Sequence, residues 1–245
     1  MSVPTQQQFR DSIDELMRLA DAQPHLRTRG NAGKLILILG GLELELVDRA
    51  RGALVLFDAG RGDTALPLIR KVYEFGVTAQ WMHATRDTAA YFTVSERYSR
   101  AMDRDAITSG YDVPSAIIDE FRSAPPLVRT PESELLNRFE QVCKSFADGG
   151  LYLLYRYLSS ACHPWFGATS RWLHPDDNPT GLRFSNPKPM EPEALLWPLA
   201  AGLIWCGRAV DTTSSTSRVS RRSRTLARCW ASRRCCVGRR AGRRR

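Results

Sequence analysis

The chain has 245 residues, 43% of them hydrophobic and 9% aromatic, which points to a globular protein with one core and at most an appendage. Its longest apolar stretches, residues 35–42 and 194–206, fall short of the roughly 20 residues a membrane helix needs, and residues 1–10 lack an apolar signal core. The formal charge of +9 belongs to one end: residues 211–245 hold 12 of the 35 basic residues against one acid, Asp211, so residues 1–210 carry 23 basic and 25 acidic side chains and a net charge of −2.

In chain order, Thr5 followed by Gln8 has the spacing of a capping box. Phe9, Ile13, Leu16, Met17 and Ala20 then recur at helical spacing until Pro24. Residues 34–59 repeat the pattern through Leu35, Leu39, Leu42, Leu46 and Ala50. The run Lys34-Leu-Ile-Leu-Ile-Leu-Gly40 has the composition of a buried strand, but the periodicity continues past Gly41 and favours a helix. Gly30-x-x-Gly33-Lys34 does not have the spacing of a phosphate loop, and Arg61-Gly62-Asp63 reads as a turn ending in an N-cap. A third helix is expected over residues 63–85, with Pro67 in its first turn, and a fourth over residues 87–108. Residues 110–126 read as a loop with a short helix at 115–121. Thr130-Pro131-Glu132 is a helix start, and that helix is expected to run to Asp148 before Gly149-Gly150. Residues 151–163 form a further helix broken by Pro164, residues 164–192 with six prolines an irregular loop, and residues 193–210 a last apolar helix. With no strand alternation and no repeat, the fold class expected is all-α, a multi-helix bundle over residues 1–210.

The six cysteines include no C-x-x-C pair, and Cys143, Cys162 and Cys206 lie in apolar helical stretches. That usage suits buried free thiols in a reducing compartment, so a soluble cytoplasmic protein is expected. Past Val210 the text turns to Ser, Thr, Arg, Ala, Gly and Cys. Residues 211–245 therefore read either as a disordered tail that releases counterions from phosphates, or as the translation of a shifted frame.

Chemistry concentrates in Tyr152-Leu-Leu-Tyr-Arg156-Tyr-Leu-Ser159-Ser-Ala-Cys-His163-Pro164. Seven positions turn a helix through about 700°, so Arg156 and His163 fall nearly in line, with Tyr152 and Ser159 on the same stripe. Leu151, Leu154, Tyr155, Leu158 and Cys162 take the adjacent, core-packing face. A guanidinium can hold a phosphate and an imidazole at a helix C-terminus can move a hydroxyl proton, which suits phosphodiester chemistry without a metal or cofactor. Each residue also has a structural reading. His163 can cap carbonyls of its own helix, Arg156 can pair with Glu74 or Asp148, and Arg70 and Glu74 can form an exposed i,i+4 pair instead of orienting Arg156 or His163. Trp81, Trp165 and Trp172 suit core or loop anchors, and His25, His83 and His174 show no partner pattern.

The spacing and helical setting of Arg156 and His163 resemble the Arg-x(4–6)-His motif of the HEPN superfamily. The wider pattern, Arg70-Lys-Val-Tyr-Glu74 with Trp81 ahead of the Tyr-x-x-Leu-Ser-x-x-x-His helix, is similar to an uncharacterised bacterial branch of it, over residues 35–175. The resemblance implies an all-α bundle that forms a homodimer with two facing motifs, and in many members metal-independent endoribonuclease activity as a toxin or defence effector, with RNA as substrate and a cognate neutralising protein as partner. Arg156 and His163 are then the catalytic pair, supported by Tyr152, Ser159, Glu74 and Arg70. Tyr157 departs from the small polar residue that follows the arginine in many active members. The competing expectation is a non-catalytic helical binding or regulatory protein.

Overall fold

A computed structural model describes residues 5–22, 32–146, 149–160, 162, 172–175, 182–184 and 190–214, and the structural statements that follow concern those. Helix α1 (Gln6–Asp21) starts at the expected capping box: Gln8 N donates to Thr5 Oγ1 at 3.3 Å and Thr5 N to Gln8 Oε1 at 2.8 Å. Phe9, Ile13 and Met17 are buried in the core. Helix α2 (Gly33–Asp58) is continuous through Gly40 and Gly41, because burying Leu35, Leu39, Leu42, Leu46 and Ala50 along one face outweighs the short strand-like run.

Asp63 does not cap the next helix. It lies in a 3-10 turn (Gly62–Ala65), and its carboxylate accepts the Met190 N–H at 3.3 Å. Helix α3 (Leu66–Thr85) follows, with Pro67 in the first turn, where a missing N–H costs no intrahelical bond. Asp87 caps α4 (Thr88–Thr108), accepting from Ala90 N at 2.9 Å, and α5 (Ser115–Ser123) occupies the expected short segment.

The single helix expected to start at Thr130 is two. Thr130 and Ser133 form a reciprocal capping box at α6 (Pro131–Leu136), Asn137 ends it, and Arg138 is extended before α7 (Phe139–Ser145). The break lets α6 pack on α4 while α7 turns onto α8 (Gly149–Ser160) and α3. Part of the expected loop 164–192 is an antiparallel strand pair, β1 (Leu173–Pro175) with β2 (Leu182–Phe184), Leu173 opposite Phe184. Helix α9 (Pro192–Thr213) contains Pro198 and runs three residues beyond the composition change at Val210, ending with Thr213 and Ser214 buried.

The result is an all-α multi-helix bundle, as expected from the periodicity. Helix α3 is central, packed between α2 and α9, with α1 closing over α9 and with α7 and α8 lying against α3. Helices α3 and α9 cross in backbone contact: a Cβ on Gly76 would meet Gly202 Cα at 2.6 Å, and one on Gly202 would meet the Val72 carbonyl oxygen at 2.5 Å. Fully buried Tyr73 donates its hydroxyl to Leu151 O at 2.9 Å and so pins the start of α8 to α3. Trp81 is a core residue. Cys143 and Cys206 are buried cysteines and Cys162 is a half-buried one. Among the described residues no helix is long and apolar enough to cross a membrane.

Candidate functional site

Helix α8 presents two different polar surfaces. Arg156 is exposed and makes no ion pair with a described residue. It lies within electrostatic reach of Glu140 on α7, and the Tyr152 hydroxyl lies near that same carboxylate. Glu140's own ion pair is with Lys144, 2.6 Å away, and this contact is the main reason its carboxyl sits below the usual range, with Tyr152 and Arg156 adding to it. Glu74 does not reach Arg156. Asp148 and His163 lie outside the described residues, as do Trp165 and His25.

The second surface faces α3. Arg70 extends across to α8, where Nη2 donates to the Tyr155 hydroxyl at 2.7 Å and the guanidinium carbon lies 5.0 Å from the Tyr155 ring centre. Partial burial works against the guanidinium's charge. The Tyr155 hydroxyl and the nearby Glu74 and Cys162 more than offset that, so its pKa is raised. Phe139 packs its ring 4.4 Å from that of Tyr155, and Tyr152 stacks on Tyr155 at 6.1 Å with the planes 23° apart. The tyrosine placed on the core-packing face of the helix is thus the residue that anchors Arg70. A Tyr at a half-buried helical position opposite an Arg is the signal that marks it, since a phenol is seldom buried without a partner.

The i,i+4 pair of Arg70 and Glu74 is not formed as a hydrogen bond. Glu74 Oε2 instead lies 3.0 Å from Lys71 Nζ, in contact as an ion pair but out of line for a hydrogen bond. Arg70 does not orient Arg156. Among the described residues, Arg70 Nε, Glu74 Oε2 and Ser159 Oγ are buried here without hydrogen-bond partners. Ser159 follows Tyr155 by four residues and precedes Cys162 by three, and both of those act on Arg70, so its hydroxyl belongs to the α3-facing side and not to the exposed surface with Arg156. Burial pushes the Cys162 thiol above its ordinary pKa although Arg70 pulls the other way, and its sulfur donates to Leu158 O at 3.1 Å. It is a thiol at neutral pH.

Chemically, the seam holds a guanidinium N–H and a hydroxyl with no hydrogen-bond partner among the described residues, and a carboxylate oxygen whose contact is the Lys71 ion pair. Buried polar groups are ordinarily paired, and a cluster of unpaired ones is where a ligand's donors and acceptors are accommodated. Among the described residues no three His, Cys, Asp or Glu side chains come together as metal ligands would. No family model, curated protein or solved structure matches the chain.

Proposed function

We propose that the chain is a metal-independent endoribonuclease of the HEPN type, in which Arg156 holds the scissile phosphate and His163 moves the proton of the attacking or leaving hydroxyl. The observation that carries this reading is the exposed Arg156 guanidinium on the α8 face, one helical turn from Tyr152 and without an ion-pair partner among the described residues. A guanidinium already saturated by a carboxylate has little left to give a phosphate, whereas an unpaired one can bind its oxygens in a bidentate fork. Glu140 stands in electrostatic reach but has its ion pair with Lys144.

The supporting residues divide between two sides of α8. Tyr152 stacks on Tyr155 and lies near Glu140, on the side of α8 that packs with α7. Arg70 and Tyr155 brace α8 against α3, with Glu74 in electrostatic reach of Arg70 and the Ser159 hydroxyl buried on the same helix as Tyr155. Two copies facing each other across this surface would complete the site. A general acid or base typically contributes about 10²–10⁴-fold to rate. Replacing His163 with Ala is therefore expected to lower cleavage of a defined single-stranded RNA by at least about 10²-fold, with the far-ultraviolet circular dichroism unchanged and 2′,3′-cyclic phosphate ends in the wild-type product. Wild-type cleavage by His163→Ala refutes the assignment. It leaves the alternative of a helical binding or regulatory protein.

A further inference from the structure

Away from α8, three arginines converge on one cleft. It has a volume of about 350 Å³ and lies between α4, the segment 124–130 and the start of α6. Arg97 and Arg100 project from α4, one turn apart, and Arg129 enters from the segment before α6. The only carboxylate lining the cleft is Glu134, and two guanidinium groups share it: Arg97 Nη1 at 3.1 Å and Arg129 Nε at 3.8 Å. Arg100 is held at the edge by Glu96 at 2.7 Å and by the Pro125 carbonyl. Three positive groups and two negative ones leave an uncompensated charge, and Arg129, with its side chain 67% exposed, is the group free to move onto a ligand. Val94, Pro126 and Leu127 supply an apolar wall beside the charges.

We propose that this cleft is a binding site for a phosphate monoester on a body of nucleotide size. Arg97 and Arg129 would take the phosphate oxygens as they now take the Glu134 carboxylate, and the organic part would rest on Val94, Pro126 and Leu127. The chemistry of the contacts selects the group. Planar guanidinium forks match tetrahedral oxyanions bidentately, and a dianion satisfies two forks that a single carboxylate has to share. The volume sits at the small end of the range for small-molecule sites, which fits one nucleotide and excludes a folded polymer. Glu134 competes with the ligand for the same donors, so it sets the affinity. The assignment does not depend on the chemistry of α8.

The experiment is isothermal titration of the full chain with adenosine monophosphate, adenosine and inorganic phosphate, and with a short oligoribonucleotide bearing either a 5′-phosphate or a 5′-hydroxyl. Adenosine monophosphate is expected to bind saturably, inorganic phosphate more weakly, and adenosine at least tenfold more weakly. Tighter binding by the 5′-phosphorylated oligonucleotide than by its 5′-hydroxyl counterpart, an advantage lost in Arg129→Ala, makes an RNA end the source of the phosphate, and equal binding by the two oligonucleotides beside saturable adenosine monophosphate makes it a free nucleotide. Either result supports the site. Arg97→Ala and Arg129→Ala should each weaken binding about tenfold or more, and Glu134→Gln should tighten it severalfold, a gain that loss of folding cannot produce. Lys144→Ala, a change of an exposed cation beside the α8 surface, should bind adenosine monophosphate as the wild type does, which separates this cleft from general loss of positive charge. The proposal is overturned by adenosine binding as tightly as its monophosphate, by no saturable binding of any phosphate at millimolar concentration, or by unchanged affinity in Glu134→Gln together with Arg129→Ala.

Discussion

Arg70 is the residue on which the α3–α8 seam turns. Its hydrogen bond to the Tyr155 hydroxyl is the only described one it makes across the seam, and its Nε has none. Removing the hydroxyl strands a second guanidinium N–H in a half-buried setting, and a hydrogen bond to a charged group contributes about 1.5–3 kcal/mol. Tyr155→Phe is accordingly expected to lower the free energy of unfolding by about 1 kcal/mol or somewhat more by urea denaturation. Arg70→Met added to it should cost less than the sum of the two single changes, because the pair is already broken. Strictly additive losses would contradict the coupling. Tyr155 was legible only as a helical position. Whether a half-buried phenol faces lipid-like core or a cation depends on which helix packs opposite, and no local pattern specifies that.

His83 shows the same limit from the other side. Nothing adjacent in sequence marks a partner, yet its ring lies 3.1 Å from Thr213 Oγ1, 130 residues away, where α9 ends. Burial lowers its pKa below 6.5, and Arg86 and Arg208 add to the effect. The unfolded chain therefore binds more protons than the folded one as pH falls through and below about 6.5, so this residue's contribution favours folding at higher pH and weakens on acidification. Between pH 7.5 and 5.5 the urea midpoint of the wild type should fall, and His83→Gln should fall less. An identical pH profile in the variant would show that His83 is not the group responsible.

At the scale of elements, the helices were readable because their apolar residues repeat at 3.6 and are buried where that period places them, Leu39 and Leu46 on α2 and Ile69 and Val77 on α3 being examples. The break at Asn137–Arg138 was not readable, since no Pro or Gly marks it. It is imposed by α6 and α7 packing on different partners. The glycines of the α3–α9 crossing were also silent: Gly76 and Gly202 look like helix-weakening residues in sequence, and only the crossing shows that each gives the other helix's backbone room. Because the atoms a new Cβ would meet are backbone, no rotamer change relieves the clash. Gly202→Ala is expected to destabilise by at least about 2 kcal/mol, within the range for overpacking, and Gly202→Ala should be worse than Ala at Gly41, where nothing lies within 4 Å. Thermal melts of the two variants side by side check this, and equal melting temperatures would contradict the crossing.

For the whole molecule, composition separated the acidic body from the arginine-rich end, but the boundary drawn at residue 210 cuts a helix that continues to Thr213. Composition changes before structure does, because Asp211, Thr212 and Thr213 are ordinary helix-end residues. All 12 arginines of the segment fall after Ser214. Deleting residues 215–245 should therefore flatten the dependence of log K on log salt for RNA binding by several units while leaving the helical circular dichroism of the bundle intact. Loss of the helical signal would mean that the segment is part of the fold.

The candidate site was half legible. Arg156 stands on an exposed helical face as its position in the repeat implied, whereas Ser159, one turn on, is directed at α3, because a stripe drawn at 100° per residue does not say where the packing boundary runs. The most direct test of the central claim is the initial rate of cleavage of a labelled single-stranded RNA, in excess metal chelator, by the full chain and by Arg156→Ala. Losing a guanidinium that binds the transferring phosphate in the transition state is expected to reduce the rate by about 10²-fold or more, with unfolding little changed because the side chain is exposed and makes no ion pair with a described residue. Cleavage by Arg156→Ala at the wild-type rate, or no cleavage by either protein, would contradict the account.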